Sequence, residues 1–270
     1  MQGKDIRLGV MRIAILSDIH GNSIALDAVL QDIQAQGGID AYWVLGDLAA
    51  IGFDPVGVLE RVAELPQTRL IRGNTDRYLV TGERPSPTVK ECEANPTLWL
   101  THVQVASSFS WTQGAVMVSG WVKWLAGLPL ESRTALPDGK RVLCVHAAPG
   151  RDDGRGVHPG VSREALRALV AEGEADLIFV GHTHWPMEVR VDRVHLVNAG
   201  SVSNAFPPDV RASYVMLEAD ESGYRLRHRR VAYDREAVVE ELGRVNHPAA
   251  KYIIQYLRGR NHPYWSKGGQ

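Results

Sequence analysis

The sequence predicts an α/β protein whose parallel or mixed sheet is covered by helices, and three observations carry that expectation. Short β-rich apolar runs alternate with stretches of helical periodicity. A chain of 270 residues that is 44% hydrophobic is long enough to bury a full core. No internal repeat or low-complexity tract breaks the alternation.

The elements follow in order. Residues 12–17 (RIAILS) read as a strand, and residues 22–36 carry Ile24, Ala25, Leu26, Ala28, Val29, Leu30 and Ile33 at helical spacing. The unit recurs with a strand at 42–45, a helix at 56–65 and a strand at 69–71. Residues 98–128 read as mainly helical up to Pro129, with 115–118 the one strand-like run among them, and Trp99, Trp111, Trp121 and Trp124 are expected to serve packing. Strands then fall at 142–145, 177–180, 194–197 and 213–217, with a helix at 163–172. Residues 224–233 look like an arginine-rich edge strand, followed by helices at 235–245 and 249–258 and a tail without regular structure. Residues 1–10, ahead of a natural start at Met11, read as an N-terminal extension, native or appended, 11–260 as one domain and 261–270 as a C-terminal tail.

Composition narrows the function. A formal charge of −1, from 30 basic and 31 acidic residues, supplies no broad basic surface for general nucleic-acid binding, so any phosphate recognition has to be local. Cys92 and Cys144 have no paired spacing and follow no apolar leader, which points to a reducing, cytoplasmic setting. No apolar run approaches the roughly 20 residues that cross a bilayer. Homo-oligomerisation is left open.

Residue types that bind metal stand at the C-terminal ends of the expected strands, where ligands converge in open α/β sheets. They are Asp18-Ile19-His20, Gly46-Asp47, Gly73-Asn74-Thr75-Asp76, His146, and Gly181-His182-Thr183-His184. Asp18 and His20, two apart at a strand end, are expected to enter one cleft while Ile19 turns to the core, and His182 and His184 repeat that spacing. Carboxylate oxygen, imidazole nitrogen and one amide oxygen suit a borderline divalent ion such as Mn, Fe, Co, Ni or Zn. Seven such groups exceed one tetrahedral ion and suit two ions about 3.5–4 Å apart that share a bridging carboxylate. Singly, each residue has an ordinary explanation: Asp18 as a helix cap, a lone histidine as a hydrogen-bonding side chain. Gly21, Gly46, Gly73 and Gly181 read as turn formers, and His102, His158, His195, His228, His247 and His262 as surface or packing histidines.

In order, the blocks SDIHGN, LGDLAA, RGNTDR, VHAAPG and VGHTHWP resemble the calcineurin-like metallophosphoesterases, whose pattern is DxH, GD, GN with a following D or E, H, and GHxH. They span Asp18 to His184, and the later NAGSVSNAFPPDVRASYVMLE is similar to the small bacterial and archaeal members. The resemblance implies a four-layer αββα sandwich of two mixed β-sheets flanked by helices. It further implies that Asp18, His20 and His184 hold one metal, that Asn74, His146 and His182 hold a second, and that Asp47 bridges. Manganese is the expected ion, with Fe, Zn, Ni or Co in its place. The implied nucleophile is a hydroxide bridging the pair, with Asp47, Asn74 and Asp76 the residues nearest the chemistry. Two 2+ ions against two carboxylates would keep about two positive charges, drawing in phosphate and lowering a bound water toward pKa ~7.

One departure shapes the substrate expectation. Many family members place a histidine after the GN pair to protonate the leaving group, and here that position is Thr75. A hydroxyl cannot act as that acid, a contribution worth about 10² to 10⁴ in rate, so small phosphodiesters are expected over ordinary monoesters. A monoester or nucleotide phosphatase is the alternative of the same class. A protein-binding scaffold, as in the retromer subunit that resembles these enzymes, is the alternative of another class, against which the retained ligand set argues. His158, Asp152 and Asp153 are candidates to replace the acid, and Asp76 either orients Thr75 or caps the next helix. Arg72, Arg77, Arg151 and Arg155 are candidate phosphate clamps, the last two foremost because their Gly-rich loop follows His146. Specificity is expected to lie in loops 82–96 and 151–160.

Overall fold

The alternation resolves into two five-stranded sheets in the computed structural model, which describes residues 9–263 and Trp265. Most of the N-terminal extension and of the C-terminal tail read from the sequence lies outside the described residues. Strands β1 (Met11–Leu16), β2 (Ala41–Val44) and β3 (Thr68–Leu70) alternate with helices α1 (Ser23–Ala35) and α2 (Pro55–Glu64). Helix α3 (Asn74–Thr81) follows, then a helical stretch of α4 (Val89–Ala94), α5 (Trp99–Val118) and α6 (Val122–Ala126). The second half of the chain runs β4 (Glu131–Ala135), β5 (Arg141–Val145), α7 (Arg163–Gly173), β6 (Leu177–Val180), β7 (Met187–Val191) and β8 (Val194–Asn198). It ends with β9 (Ala212–Asp220), β10 (Gly223–Val231), α8 (Arg235–Arg244) and α9 (Ala250–Leu257).

The first sheet has the order β10-β9-β1-β2-β3 and the second β4-β5-β6-β8-β7, each mixed, with parallel strands at its centre. Strand alternation sorts the core into layers. Along β1, Ile13 and Ile15 join Val142, Phe179 and Val197 between the sheets, while Ala14 and Leu16 join Leu26, Val29 and Val58 beneath the helices. On the far side, Leu143, Val145, Ile178 and Val180 pack with Leu166 and Val170 of α7. Each fully buried aliphatic side chain is worth about 1.5–3 kcal/mol, which makes the strand pattern itself the force that stacks four layers. The αββα expectation therefore holds.

Some elements differ from the sequence reading. Edge strands β4 (ESRTA) and β7 (MEVRV) escaped it because each pairs along one side only and buries too few side chains to show a period. Residues 115–118, strand-like in sequence, are the last turn of α5, where Met117 and Val118 are exposed and meet no sheet edge. Trp99 is exposed rather than packed, whereas Trp121 and Trp124 meet edge to face. The cap of α1 is Asn22, whose side chain accepts from the Ala25 amide, so Asp18 is not spent on that role.

Both central parallel sets end on the same side of the sandwich, and their loops are laced together there. The Asp18 amide donates to Gly46 O at 3.1 Å, His20 to Asp47 O at 3.0 Å, and Gly181 to His146 O at 2.9 Å. The metal-binding residue types read from the sequence sit on this edge.

Candidate metal centre

The candidate ligands do not stand on the strands but just past them, in tight backbone turns. Asp18, His20, Asp47, His182 and His184 all have positive φ, between 51° and 66°. This conformation is uncommon for residues with a Cβ and costs on the order of 1 kcal/mol each, a strain that concentrates at functional sites. The i, i+2 pairs therefore converge through left-handed turns rather than strand alternation, although Ile19 does turn into the core as expected. Two of the glycines read as turn formers have a different reason. A Cβ on Gly73 would lie 2.0 Å from Asp47 Oδ1, and one on Gly181 would lie 1.8 Å from Ser17 Oγ and 2.6 Å from Asp18 Oδ2. Neither has a positive φ; Gly73 is small because the Asp47 carboxylate presses against it, and Gly181 because the Ser17 hydroxyl and then the Asp18 carboxylate do.

The geometry orients every imidazole. His20 Nδ1 lies 3.1 Å from Ala50 O, His146 Nδ1 2.6 Å from Leu45 O, and His184 Nδ1 2.9 Å from Asn204 O. His182 is reversed, with Nε2 2.9 Å from Gly154 O. A carbonyl only accepts, so each of these nitrogens carries a proton and donates, and the other nitrogen faces the centre. His20 Nε2 and His184 Nε2 then face each other at 3.0 Å. Asn74 Oδ1 sits 3.2 Å from His146 Nε2 and 3.0 Å from His182 Nδ1. Two acceptors at such distances repel unless a proton or a metal cation lies between them.

The carboxylates complete both groups. Asp18 Oδ1 is 3.2 Å from His184 Nε2 and 3.7 Å from His20 Nε2, and it is buried without a hydrogen-bond partner among the described residues. Its Oδ2 accepts from the His182 amide at 3.0 Å. Asp47 Oδ2 lies between the groups, 3.8 Å from His20 and 3.4 Å from His146. Donor atoms of Asp18, His20 and His184, and again of Asp18, Asp47 and His146, fall within 4.8 Å of one another. This mixture of carboxylate, imidazole and amide donors fits divalent metal ions.

Electrostatics point the same way. Burial opposes charge on Asp18 and Asp47, yet neighbouring His184 and His146 hold both carboxyls below their ordinary values. Burial also opposes charge on His146, but Asp47 and Asp18 push it up to about 10, while burial and His184 bring His20 down to about 4. Without metal, protons on some imidazoles take the place of cations, as expected of a site whose ligands must lose protons to bind.

Of the two roles open to Asp76 beside Thr75, the hydrogen bonds show the cap. Its carboxylate accepts from the amides of Asp47 at 2.8 Å, Leu48 at 2.9 Å and Gly73 at 2.9 Å, which caps α3 and fixes the loop carrying Asp47. Burial and the Asp47 charge push its carboxyl up to about 7. The candidate replacement acids are also committed elsewhere: Asp152 pairs with Arg72 and Arg77, Asp153 accepts from the Tyr78 hydroxyl, and His158 stacks on Trp265. Arg151 pairs with Glu172 on the surface, and none of the four candidate arginines is among the described residues lining the adjacent cavity. Loop 151–160 reaches the site through the Gly154 carbonyl.

Other participants were missed by sequence reasoning. Tyr78, one helical turn beyond Asn74, is tied to Asp153, and burial and that carboxylate push its hydroxyl up to about 12. Its i+4 spacing from Asn74 was the available signal. Ser201 donates to Asp18 O at 2.8 Å. The carbonyls of Leu45, Ala50, Gly154 and Asn204 could not have been found, since any residue supplies a carbonyl.

A cavity of about 250 Å³ opens beside His20, Asp47, Asn74, His182 and His184, its far wall built by α5 with Pro85 and Ser86. A sandwich of two mixed sheets with such a cup at the strand ends defines a metallophosphoesterase. The sequence pattern of the calcineurin-like phosphoesterase superfamily domain matches residues 11–222, and the chain belongs to that superfamily, whose members are metal-dependent phosphoesterases. An uncharacterized protein of Methanocaldococcus jannaschii is 30% identical over 247 residues, covering 85% of this chain and 91% of the relative. A metallophosphoesterase from Sphaerobacter thermophilus shares the fold with a TM-score of 0.72 at 24% identity, over 93% of this chain and 99% of that one. A hypothetical protein from Pyrococcus horikoshii does so with a TM-score of 0.73 at 18% identity, over 92% and 97%. Among the described residues no helix is long and apolar enough to cross a membrane.

Proposed function

We propose that this protein hydrolyses small phosphodiesters with two divalent metal ions, manganese foremost. Asp18, His20 and His184 would hold one ion, Asn74, His146 and His182 the other, with Asp47 between. The observation that carries the reading is the convergence of four imidazole nitrogens, Asn74 Oδ1 and two buried carboxylates on one cup, a donor set that suits divalent cations. When bound, such ions supply a water of lowered pKa and stabilise charge on phosphoryl oxygens. The chain's own part is orientation: carbonyls fix the imidazoles, Asp76 fixes the Asp47 loop, and the cavity seats the ester beside them. Thr75 lines that cavity and offers no acid near neutrality, so a leaving group has to depart without one. That favours diesters with good leaving groups over dianionic monoesters. The free, buried cysteines accord with a reducing cytoplasm.

The test is to assay bis-p-nitrophenyl phosphate and p-nitrophenyl phosphate side by side with manganese, together with metal analysis of Asp47→Asn. The diester is expected to turn over faster, and the substitution to lower both bound metal and rate by at least tenfold. Faster monoester turnover would replace the diesterase reading with the monoesterase one. An Asp47→Asn protein with full activity and full metal content would remove the bridging assignment.

A further inference from the structure

The cavity beside the metal-binding cup has an opposite wall that metal chemistry does not account for. Thr101, Gln104, Val105, Ser108 and Phe109 line it from α5, at the i, i+3, i+4, i+7 and i+8 positions of one helix face. Among the described residues no lysine or arginine lines the cavity, and its only carboxylate is Asp47. Two hydroxyls have no hydrogen-bond partner among the described residues: Thr75 Oγ1 beside the cup and Ser108 Oγ on the α5 wall. Both residues are buried, at 4% and 3% exposure. Both oxygens are closed off from solvent, so what these two residues turn toward the cavity is mainly carbon.

We infer that this face of α5 is the subsite for an ester substituent, and that the substrate is a singly charged phosphodiester with a small, uncharged, apolar or aromatic group. The inference rests on the hydrolase reading above and narrows its substrate class. A second phosphate or a carboxylate on the substituent would be buried against Val105 and Phe109 with no cation to pair it, at a cost of several kcal/mol. An apolar group instead gains by leaving water there, at about 25 cal/mol per Å². A volume of about 250 Å³ sits below the ~300–1,000 Å³ of sites for drug-sized ligands and suits a small substituent.

The experiment is calorimetric titration of the manganese-loaded protein with diphenyl phosphate, dimethyl phosphate and phenyl phosphate. Diphenyl phosphate is expected to bind roughly tenfold or more tightly than dimethyl phosphate. Val105→Lys and Thr101→Lys are each expected to shrink that preference and to strengthen phenyl phosphate several-fold. Thr101 is exposed, so its variant reports even if a lysine at position 105 disturbs packing. Equal affinity for the two diesters, no binding of any of the three, or a preference unmoved by both substitutions would overturn the subsite. Retained preference without turnover of any ester would instead overturn the hydrolase reading while supporting the subsite.

Discussion

Asp76 shows how much a single side chain beside the cup contributes without touching a ligand atom. It satisfies three buried amides, those of Asp47, Leu48 and Gly73. Each would otherwise be left unpaired at about 1–3 kcal/mol. Asp76→Ala is therefore expected to destabilise the fold by about 3 kcal/mol or more, read as a lower urea midpoint, and to weaken manganese binding at least tenfold. Manganese affinity equal to that of the native protein would show that the Asp47 loop holds its geometry unaided. The sequence placed Asp76 next to the ligands but left its role divided between cap and orienter. Only the loop packing, which brings residues 47 and 48 onto α3, decides for the cap and adds the link to Asp47.

At the scale of elements, the connection between α8 and α9 buries a histidine whose protonation opposes folding. His247, in the connection between them, is buried, accepts from the Ala249 amide through Nδ1 at 3.1 Å, and meets Trp111 edge to face. Its Nε2 is buried without a partner among the described residues, and burial pushes its pKa down to about 4 from an ordinary 6.5. The folded state thus binds this proton less readily than the unfolded chain. The contribution is complete above pH 6.5 and is lost as pH falls from there through about 4. Across that window it amounts to roughly 3 kcal/mol. His247→Phe is expected to flatten the decline of the urea midpoint between pH 7 and 4.5. A decline as steep as in the native protein would assign acid sensitivity to other groups.

The whole molecule is organised so that metal would join its two halves. Asp18, His20, Asp47 and Asn74 follow strands of the first sheet, whereas His146, His182 and His184 follow strands of the second. Ions held there would cross-link the sheets and relieve the contact of buried carboxylates and imidazole lone pairs. A ligand at ~1,000 times its Kd stabilises by about 4 kcal/mol, equivalent to roughly 10 °C in Tm for a chain of this size. Manganese is expected to raise Tm by that order and EDTA to reverse it in scanning calorimetry. A Tm indifferent to both would remove the metal-centre reading altogether.

The sequence by itself determined the fold class, the ligand types and their order along the chain, because apolar periodicity and residue chemistry are local properties. It carried the strands of both sheet centres, whose buried runs are unambiguous, and missed the half-exposed edges β4 and β7. Tertiary structure alone decided which imidazole nitrogens face one another, that five candidate ligands sit in left-handed turns, and that Gly73 and Gly181 are small to admit the side chains of Asp47, Ser17 and Asp18. It also decided that a helix distant in sequence, α5, forms the other wall of the cavity, which Arg72, Arg77, Arg151 and Arg155 do not line. These are distances between segments far apart along the chain, fixed only when the two sheets pack and their loops close over a shared edge.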